Sequence, residues 1–154
     1  NTEVIKKRIK GKIAYILSVL ITLFTYRRRD ISLIIDGKEY QRNFLLIAVG
    51  NGSYYGGGMK ILPMAEIDDG YFHVCIIKDI KNCMVPFLFP SIFKGNHLRY
   101  SKYVDIFKAN KVIIKNESNV IINLDGELMN NDKKDIVFDF MDYKLEVITN
   151  GFKY

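Results

Sequence analysis

The chain has 154 residues, a formal net charge of +6, 49% hydrophobic residues and 26% charged residues. This length and composition predict one soluble globular domain with a real core, and no apolar stretch reaches the about 18 residues that a membrane-spanning helix needs. The two cysteines, Cys75 and Cys83, match no metal-ligand spacing, so we interpret them as free thiols of a reducing cytosol. The basic charge suits an anionic partner, which could be nucleic acid, a phosphorylated ligand or an acidic membrane surface.

The first predicted element is a long helix over residues 4–26. Apolar residues recur there in steps of three and four, as at Ile5, Ile9 and Ile13, and therefore share one helix face. Three arginines at positions 27–29 end the helix, where its dipole favours cations. Lysines crowd its first half, and this basic face could meet a membrane or another domain, or could simply be solvated.

From residue 31 onward the pattern changes to short β-strands. Residues 31–35 and 40–49 predict a hairpin, because Asp36-Gly37 between them is a strong turn signal. Further strands are predicted at 71–78, 104–108, 111–115, 120–124, 136–140 and 145–149, with a turn at 116–119. Residues 84–93 contain two prolines, which predict a short interrupted helix or a loop. The pattern predicts a mainly β fold, an antiparallel β-sandwich-like domain with one long amino-terminal helix and a short helical insert.

A glycine-rich loop follows the second strand, within AVGNGSYYGGGMKILPMAEIDDG at residues 48–70. Three consecutive glycines are costly to order, and we expect them where the backbone takes positive φ or passes close to another backbone or a ligand. The loop lacks the Lys-Ser or Lys-Thr of a P-loop and the βαβ context of a dinucleotide-binding motif. We therefore expect it to line a cleft. The cleft candidates are Asn51, Gly56, Gly57, Gly58 and Lys60.

Two acidic turns are candidates for chemistry. The first contains Glu66, Asp68 and Asp69, whose oxygens could hold a hard cation such as Mg²⁺, or could form an ordinary solvated turn. The second reads Asp-Gly-Glu from Asp125 to Glu127, at the end of a strand predicted to be buried. A carboxylate there could act as a general base, although an ordinary hairpin turn would look the same.

The two histidines have no Cys or Asp neighbours at metal-ligand spacing. His97 follows Gly95-Asn96, and we expect it to stabilise a turn by a hydrogen bond. We expect His73 to pack at the surface of a sheet.

Taken in order, GNGSYYGGGMKILPMAEIDDGYFHV, GNH and INLDGE resemble the carboxy-terminal domain of the soluble diacylglycerol kinase-like lipid kinases. These belong to a superfamily with sphingosine kinases and, more distantly, NAD kinases. The resemblance extends over nearly the whole chain, including GKIAYILSVL in the predicted helix. It implies a two-domain enzyme whose amino-terminal α/β domain binds ATP through a Gly-Gly-Asp-Gly-Thr-type loop. No such loop is present, so we expect residues 1–154 to be the single carboxy-terminal domain, inactive without the nucleotide half.

The resemblance also implies roles for the two acidic turns. Asp69 would be the carboxylate ligand of a structural Mg²⁺, flanked by Glu66 and Tyr71 with backbone carbonyls as their ligand atoms. Glu127 would be the proton acceptor for a lipid hydroxyl that attacks the γ-phosphate of ATP, with Asp125 beside it. Phosphoryl transfer asks mainly for positioning and charge stabilisation, which this arrangement could provide.

The implied cofactors are Mg²⁺ and ATP, and the implied substrate is a lipid such as diacylglycerol. We expect a cytoplasmic enzyme that visits the membrane surface without spanning it, and a homodimer is left open. Residues 87–89 and 92–93 are the candidate apolar groove for the lipid, with core packing as the alternative. Two other functions remain, a non-catalytic lipid-binding or regulatory module and a nucleic-acid-binding β-domain. The second needs an exposed basic and aromatic face, which the strand sequences do not indicate, so we expect no nucleic-acid partner.

Overall fold

The structure, a computed structural model, describes residues 29–115, 122–125, 127–129 and 135–141. The strands of this part are β1 (Arg29–Ile35), β2 (Lys38–Gly50), β3 (Phe72–Lys78), β4 (Val104–Ala109), β5 (Lys111–Lys115), β6 (Ile122–Leu124), β7 (Glu127–Met129) and β8 (Ile136–Asp139). One α-helix, α1 (Val85–Ile92), follows the 3₁₀ turn Asn82–Met84. The helix predicted at 4–26, the turn at 116–119 and the strand at 145–149 lie outside the described residues.

All strand pairs of the described chain are antiparallel. Six strands form one sheet in the order β4-β3-β2-β1-β5-β8, and β6 and β7 form a separate two-stranded sheet. The predicted hairpin is confirmed, since Asp36 and Gly37 join β1 to β2 with φ of 46° and 82°, the turn whose twist matches that of the strands. The prediction of a mainly β, antiparallel fold is therefore confirmed.

Apolar side chains cover both faces of the six-stranded sheet. Along β3, Val74 and Ile76 point into one hydrophobic cluster, while Cys75 and Ile77 point into another. All four are at most 3% exposed, which explains why β3 reads as an uninterrupted apolar run. We call the face that carries Cys75 and Ile77 the helix face, because α1 packs on it.

Helix α1 confirms the short helical insert. It tolerates Pro86 at its start and Pro90 inside it, and the amide of Gly95 donates to the carbonyl of Ile92 just beyond its end, at 3.0 Å. Its buried residues are Val85, Leu88, Phe89 and Ile92. Most of the candidate lipid groove is therefore core, and of its members only Phe87 is largely exposed, at 66%.

The strand before the second acidic turn differs from the prediction. Its described part is β6, in which Leu124 is 48% exposed and Asn123 is exposed. The prediction of a buried strand was wrong, because β6 pairs with β7 alone in a two-stranded ribbon. Strand β7, which begins at Glu127, was not predicted.

In the ranges that the structure covers, no helix has the length and apolar character that crossing a membrane requires.

Candidate functional site

The glycine loop folds into a closed turn just after β2. The amide of Tyr55 donates to the carbonyl of Met59 at 2.8 Å, and the amides of Gly58 and Met59 donate to the carbonyl of Tyr55 at 3.1 and 3.2 Å. Gly57 and Gly58 have φ of 74° and 82°, values that are costly for any residue with a Cβ. The expectation that the glycine run adopts positive φ is therefore confirmed for two of its three residues.

Tyr55 anchors this turn to the end of β2. Its hydroxyl donates to the carbonyl of Val49, and a Cβ on Gly50 would lie 3.1 Å from the hydroxyl oxygen. Burial raises the pKa of the Tyr55 phenol, and the negative charge of Asp125 raises that pKa further. Asp125, in the turn between β6 and β7, is therefore within electrostatic range of the glycine loop.

Asp69, in the first acidic turn, makes three polar contacts. Its Oδ2 lies 2.8 Å from His73 Nε2 and 2.9 Å from Lys108 Nζ, and its Oδ1 accepts a hydrogen bond from the amide of Tyr71 at 3.1 Å. The hydrogen bonds from Lys108 and His73 lower the pKa of this carboxyl to about 2. Asp69 is therefore ionised at neutral pH, and an ionised carboxylate only accepts, so His73 Nε2 donates.

The strand register brings Asp69 and the glycine loop to the same end of the sheet. Gly50 faces His73 across β2 and β3, and His73 faces Lys108 across β3 and β4. Side chains at facing positions share a sheet face, and His73 lies two residues before Cys75, so this is the helix face. The row from Gly50 through His73 to Lys108 therefore joins the glycine loop to the first acidic turn.

The second acidic turn presents two accessible carboxylates. Leu124 of β6 pairs with Glu127 of β7, and Asp125 follows Leu124 directly, where β6 ends. Asp125 has a φ of 49°, a left-handed conformation that Asp tolerates better than most residues. The side chains of Asp125 and Glu127 are both exposed, so a ligand can reach either one.

The other predicted cleft residues lie at the base of the glycine loop. Asn51 is exposed just after β2. Lys60 is half-buried, with its Nζ 5.6 Å from the centre of the Tyr54 ring and its amide donating to the carbonyl of Ile92 at 3.1 Å. Lys60 thus connects the loop to the end of α1, and a cleft lined by these residues stays a prediction.

Tyr71 and Glu66, the other two predicted metal ligands, both interact with Lys108. Tyr71 is exposed, and the Nζ of Lys108 lies 5.8 Å from the centre of its ring. Glu66 is also exposed. The hydrogen bond that Lys108 donates to Asp69 is the main cause that raises the pKa of Lys108, and the negative charge of Glu66 is a smaller one. The predicted ligand turn is therefore centred on a lysine that the sequence did not single out.

The first acidic turn offers some of the ligands that a Mg²⁺ site needs. Among the described residues, no three His, Cys, Asp or Glu side chains come together as a metal-binding group. Asp69 and the turn carbonyls are oxygen donors of the kind that Mg²⁺ prefers, but Asp69 Oδ2 already contacts two nitrogen donors. The residues fit Mg²⁺ in ligand type, and the ammonium of Lys108 would have to leave Oδ2 before an ion could take both oxygens of Asp69.

Sequence reasoning missed three residues of this site, Tyr55, His73 and Lys108. His73 packs on a sheet face, as expected, but it is 1% exposed and its Nε2 contacts Asp69 at 2.8 Å, a contact that was not predicted. Its Nδ1 has no hydrogen-bond partner within the described part of the chain. The four-residue spacing from Asp69 to His73 is a signal that could have been used, whereas Lys108 is 39 residues from Asp69 and requires the strand register.

His97 has a structural role beyond its own turn. It is fully buried, and its Nε2 donates to the carbonyl of Ile61, 36 residues away, at 3.0 Å. Burial lowers the pKa of the imidazole, and the bond to Ile61 offsets this in part. His97 therefore holds the segment before the first acidic turn against the 3₁₀ turn Asn96–Arg99.

Comparison with known families gives a direct assignment. The family described as the YegS C-terminal NAD kinase beta sandwich-like domain matches residues 2–137. The chain therefore belongs to this family, the carboxy-terminal domain of the diacylglycerol kinase-like proteins. The resemblance inferred from the glycine loop and the two acidic turns is confirmed.

Similar curated proteins are named diacylglycerol kinase. Those of Staphylococcus carnosus and Bacillus subtilis are each 27% identical over 121 residues, which is 79% of this chain and 39% and 40% of theirs. One from Mycobacterium tuberculosis is 33% identical over 89 residues, 57% of this chain and 29% of that protein. The chain thus spans about two fifths of the length of the first two relatives.

Two solved structures from Bacillus anthracis share the fold. A candidate diacylglycerol kinase has a TM-score of 0.57 and 22% identity, covering 78% of this chain and 41% of that one. A structure of a diacylglycerol kinase has a TM-score of 0.53 and 18% identity, covering 80% and 44%. At these identities the likeness establishes the fold alone.

Proposed function

We propose that this chain is the substrate-side, carboxy-terminal domain of an ATP-dependent lipid kinase that phosphorylates a lipid hydroxyl such as that of diacylglycerol. Family membership and the names of the relatives support the class. The observation that carries the proposal is the meeting of three sequence motifs. Tyr55 of the glycine loop packs on Gly50. Gly50 is paired across the sheet with His73, which contacts Asp69 of the first acidic turn. The negative charge of Asp125, in the second acidic turn, is one of the causes that raise the pKa of Tyr55.

In the proposed reaction, Glu127 is the general base. Its carboxylate takes the proton of the lipid hydroxyl while the hydroxyl oxygen attacks the γ-phosphorus of ATP. The bond from that phosphorus to the bridging oxygen breaks, and ADP leaves with the electron pair. The exposure of Glu127 supports this role, because a general base must come within hydrogen-bonding reach of its proton. Asp125, two residues before Glu127, would help to position that turn.

We also propose that the turn from Glu66 to Tyr71 binds a structural Mg²⁺, with Asp69 as the carboxylate ligand and carbonyls of Glu66 and Tyr71 beside it. The ion would supply positive charge that holds the turn. Lys108 then competes with the ion for Asp69, since both are cations that need Oδ2. Lys108→Met should bind Mg²⁺ more tightly than the wild type in isothermal titration calorimetry. Asp69→Asn should lose all Mg²⁺-dependent thermal stabilisation, and an unchanged Mg²⁺ response would count against the site.

The proposed activity places the protein in the cytoplasm, in transient contact with a membrane that holds its substrate. The test is phosphate transfer from radiolabelled ATP by the full-length protein to vesicles that contain diacylglycerol, a long-chain polyprenol or a sphingoid base. We expect label on diacylglycerol and none when the 154-residue chain is assayed alone, because ATP binding is assigned to the other domain. Failure to label any lipid alcohol would contradict the proposed function.

A further inference from the structure

The outward face of α1 is apolar, although it is exposed. The outward stripe of the helix and of the 3₁₀ turn before it consists of Cys83, Pro86, Phe87 and Pro90, all exposed. Phe87 is 66% exposed, and the helix Val85–Ile92 contains no charged residue. A surface helix normally carries polar side chains on this face. An apolar helix surface left in water indicates a contact that is made elsewhere.

The chain around α1 is exclusively basic. Between Asp79 and Asp105 it contains no Asp or Glu and four cationic residues, so this segment has a net charge of +4. These residues are Lys81, Lys94, Arg99 and Lys102, and all four are exposed. Lys81 directly precedes the 3₁₀ turn that leads into α1, and Lys94 follows its end. The apolar stripe therefore has a lysine beyond each end.

We infer that the outward stripe of α1 is the surface by which this protein docks on an anionic lipid bilayer. Phe87 enters the headgroup boundary, while Lys81 and Lys94 meet anionic headgroups on either side. An apolar face flanked by cations is the pattern of helices that lie in a membrane interface. A symmetric contact between two copies of this stripe would instead bring like charges together. The inference rests on the proposed lipid kinase function for the choice of a membrane as the partner.

The test is flotation of the purified protein with vesicles of phosphatidylcholine, with and without phosphatidylglycerol. ATP and diacylglycerol are left out, so that binding and kinase activity can fail independently. Phe87→Ser should weaken binding to the anionic vesicles roughly tenfold, the lower range for losing one buried aromatic side chain. Lys81→Gln/Lys94→Gln should weaken it roughly thirtyfold, which is about 1 kcal/mol per lysine, and added salt should reduce wild-type binding.

Matched controls exist in strands outside α1 and its flanking turns. Val137 is 53% exposed on the edge strand β8, so Val137→Ser removes exposed apolar area away from α1. Lys38→Gln/Lys111→Gln removes the same charge from exposed positions of β2 and β5. Both controls should bind vesicles as the wild type does, and urea unfolding should show that every variant is folded.

Cys83 provides a second readout that reports on the stripe itself. It is exposed, while Cys75 is buried, so a polarity-sensitive fluorophore can be placed at Cys83 alone. Its emission should shift to shorter wavelength with anionic vesicles, and Phe87→Ser should remove the shift. Equal binding by the wild type and both stripe variants would overturn the inference. Self-association that Phe87→Ser abolishes, without vesicle binding, would also overturn it and assign the stripe to a second copy.

Discussion

Gly95, just after α1, packs closely against Pro63 and Lys60, in the segment that leads to the first acidic turn. Its φ is +69°, and an added Cβ would lie 2.9 Å from Pro63 Cβ and 3.4 Å from Lys60 Cδ. Carbon atoms pack best at about 3.5–4.0 Å, and the ring of Pro63 cannot rotate away. In Gly95→Ala, the left-handed backbone should cost about 1–2 kcal/mol and the overpacking about 1–3 kcal/mol more.

Gly37→Ala separates the two contributions. Gly37 has a similar φ of +82°, and nothing lies within 4 Å of its added Cβ, so this variant should lose only the backbone part. Urea unfolding of both variants, followed by circular dichroism, gives the two losses in the free energy of unfolding. Gly95→Ala should lose about 1–3 kcal/mol more than Gly37→Ala. Equal losses would refute the claim that Gly95 is a close-packed contact between α1 and the segment that leads to the first acidic turn.

The remaining predictions concern titration and thiol reactivity. The pKa of Asp69 is lowered from 3.8 to about 2, so the free energy of unfolding should fall as pH drops from 3.8 towards 2; Asp69→Asn should flatten this fall. Burial lowers the pKa of His97 below 6.5, so the unfolded chain takes up this proton first and stability should decline below pH 6.5. His97→Gln, which keeps a donor for its carbonyl partner, should reduce that decline, and an identical pH profile would contradict it. A thiol reagent should modify Cys83 in the native protein but spare Cys75, whose burial raises its pKa to about 12; rapid modification of both would contradict the fold.

Local signals were sufficient for much of the fold. The Asp36-Gly37 turn predicted the first hairpin, because its geometry depends on two adjacent residues. The two prolines of residues 84–93 predicted a short interrupted helix or a loop, and the structure has the helix Val85–Ile92 there. The glycine run at 56–58 predicted backbone with positive φ, and two of its three residues have it.

Non-local pairing decided what the sequence did not reveal. Lys108 reaches Asp69 only because β4 pairs with β3 in the register that sets it opposite His73. His73 is buried on the helix face, where strands far apart in the sequence meet. The exposure of Leu124 depends on β6 having a single partner strand. None of these follows from the spacing of residues along one segment.

The central claim is that Glu127 is the general base of a lipid kinase, and the most direct measurement is the turnover of Glu127→Gln in the full-length protein. General base catalysis typically contributes 10²–10⁴-fold, so kcat should fall by about that factor, roughly 3–5 kcal/mol of barrier, while ATP binding stays nearly intact. Glu39→Gln, at an exposed carboxylate of β2 outside the proposed sites, serves as a control for the loss of charge. Near-normal turnover of Glu127→Gln with chemistry rate-limiting would contradict the account and make Asp125 the next residue to test.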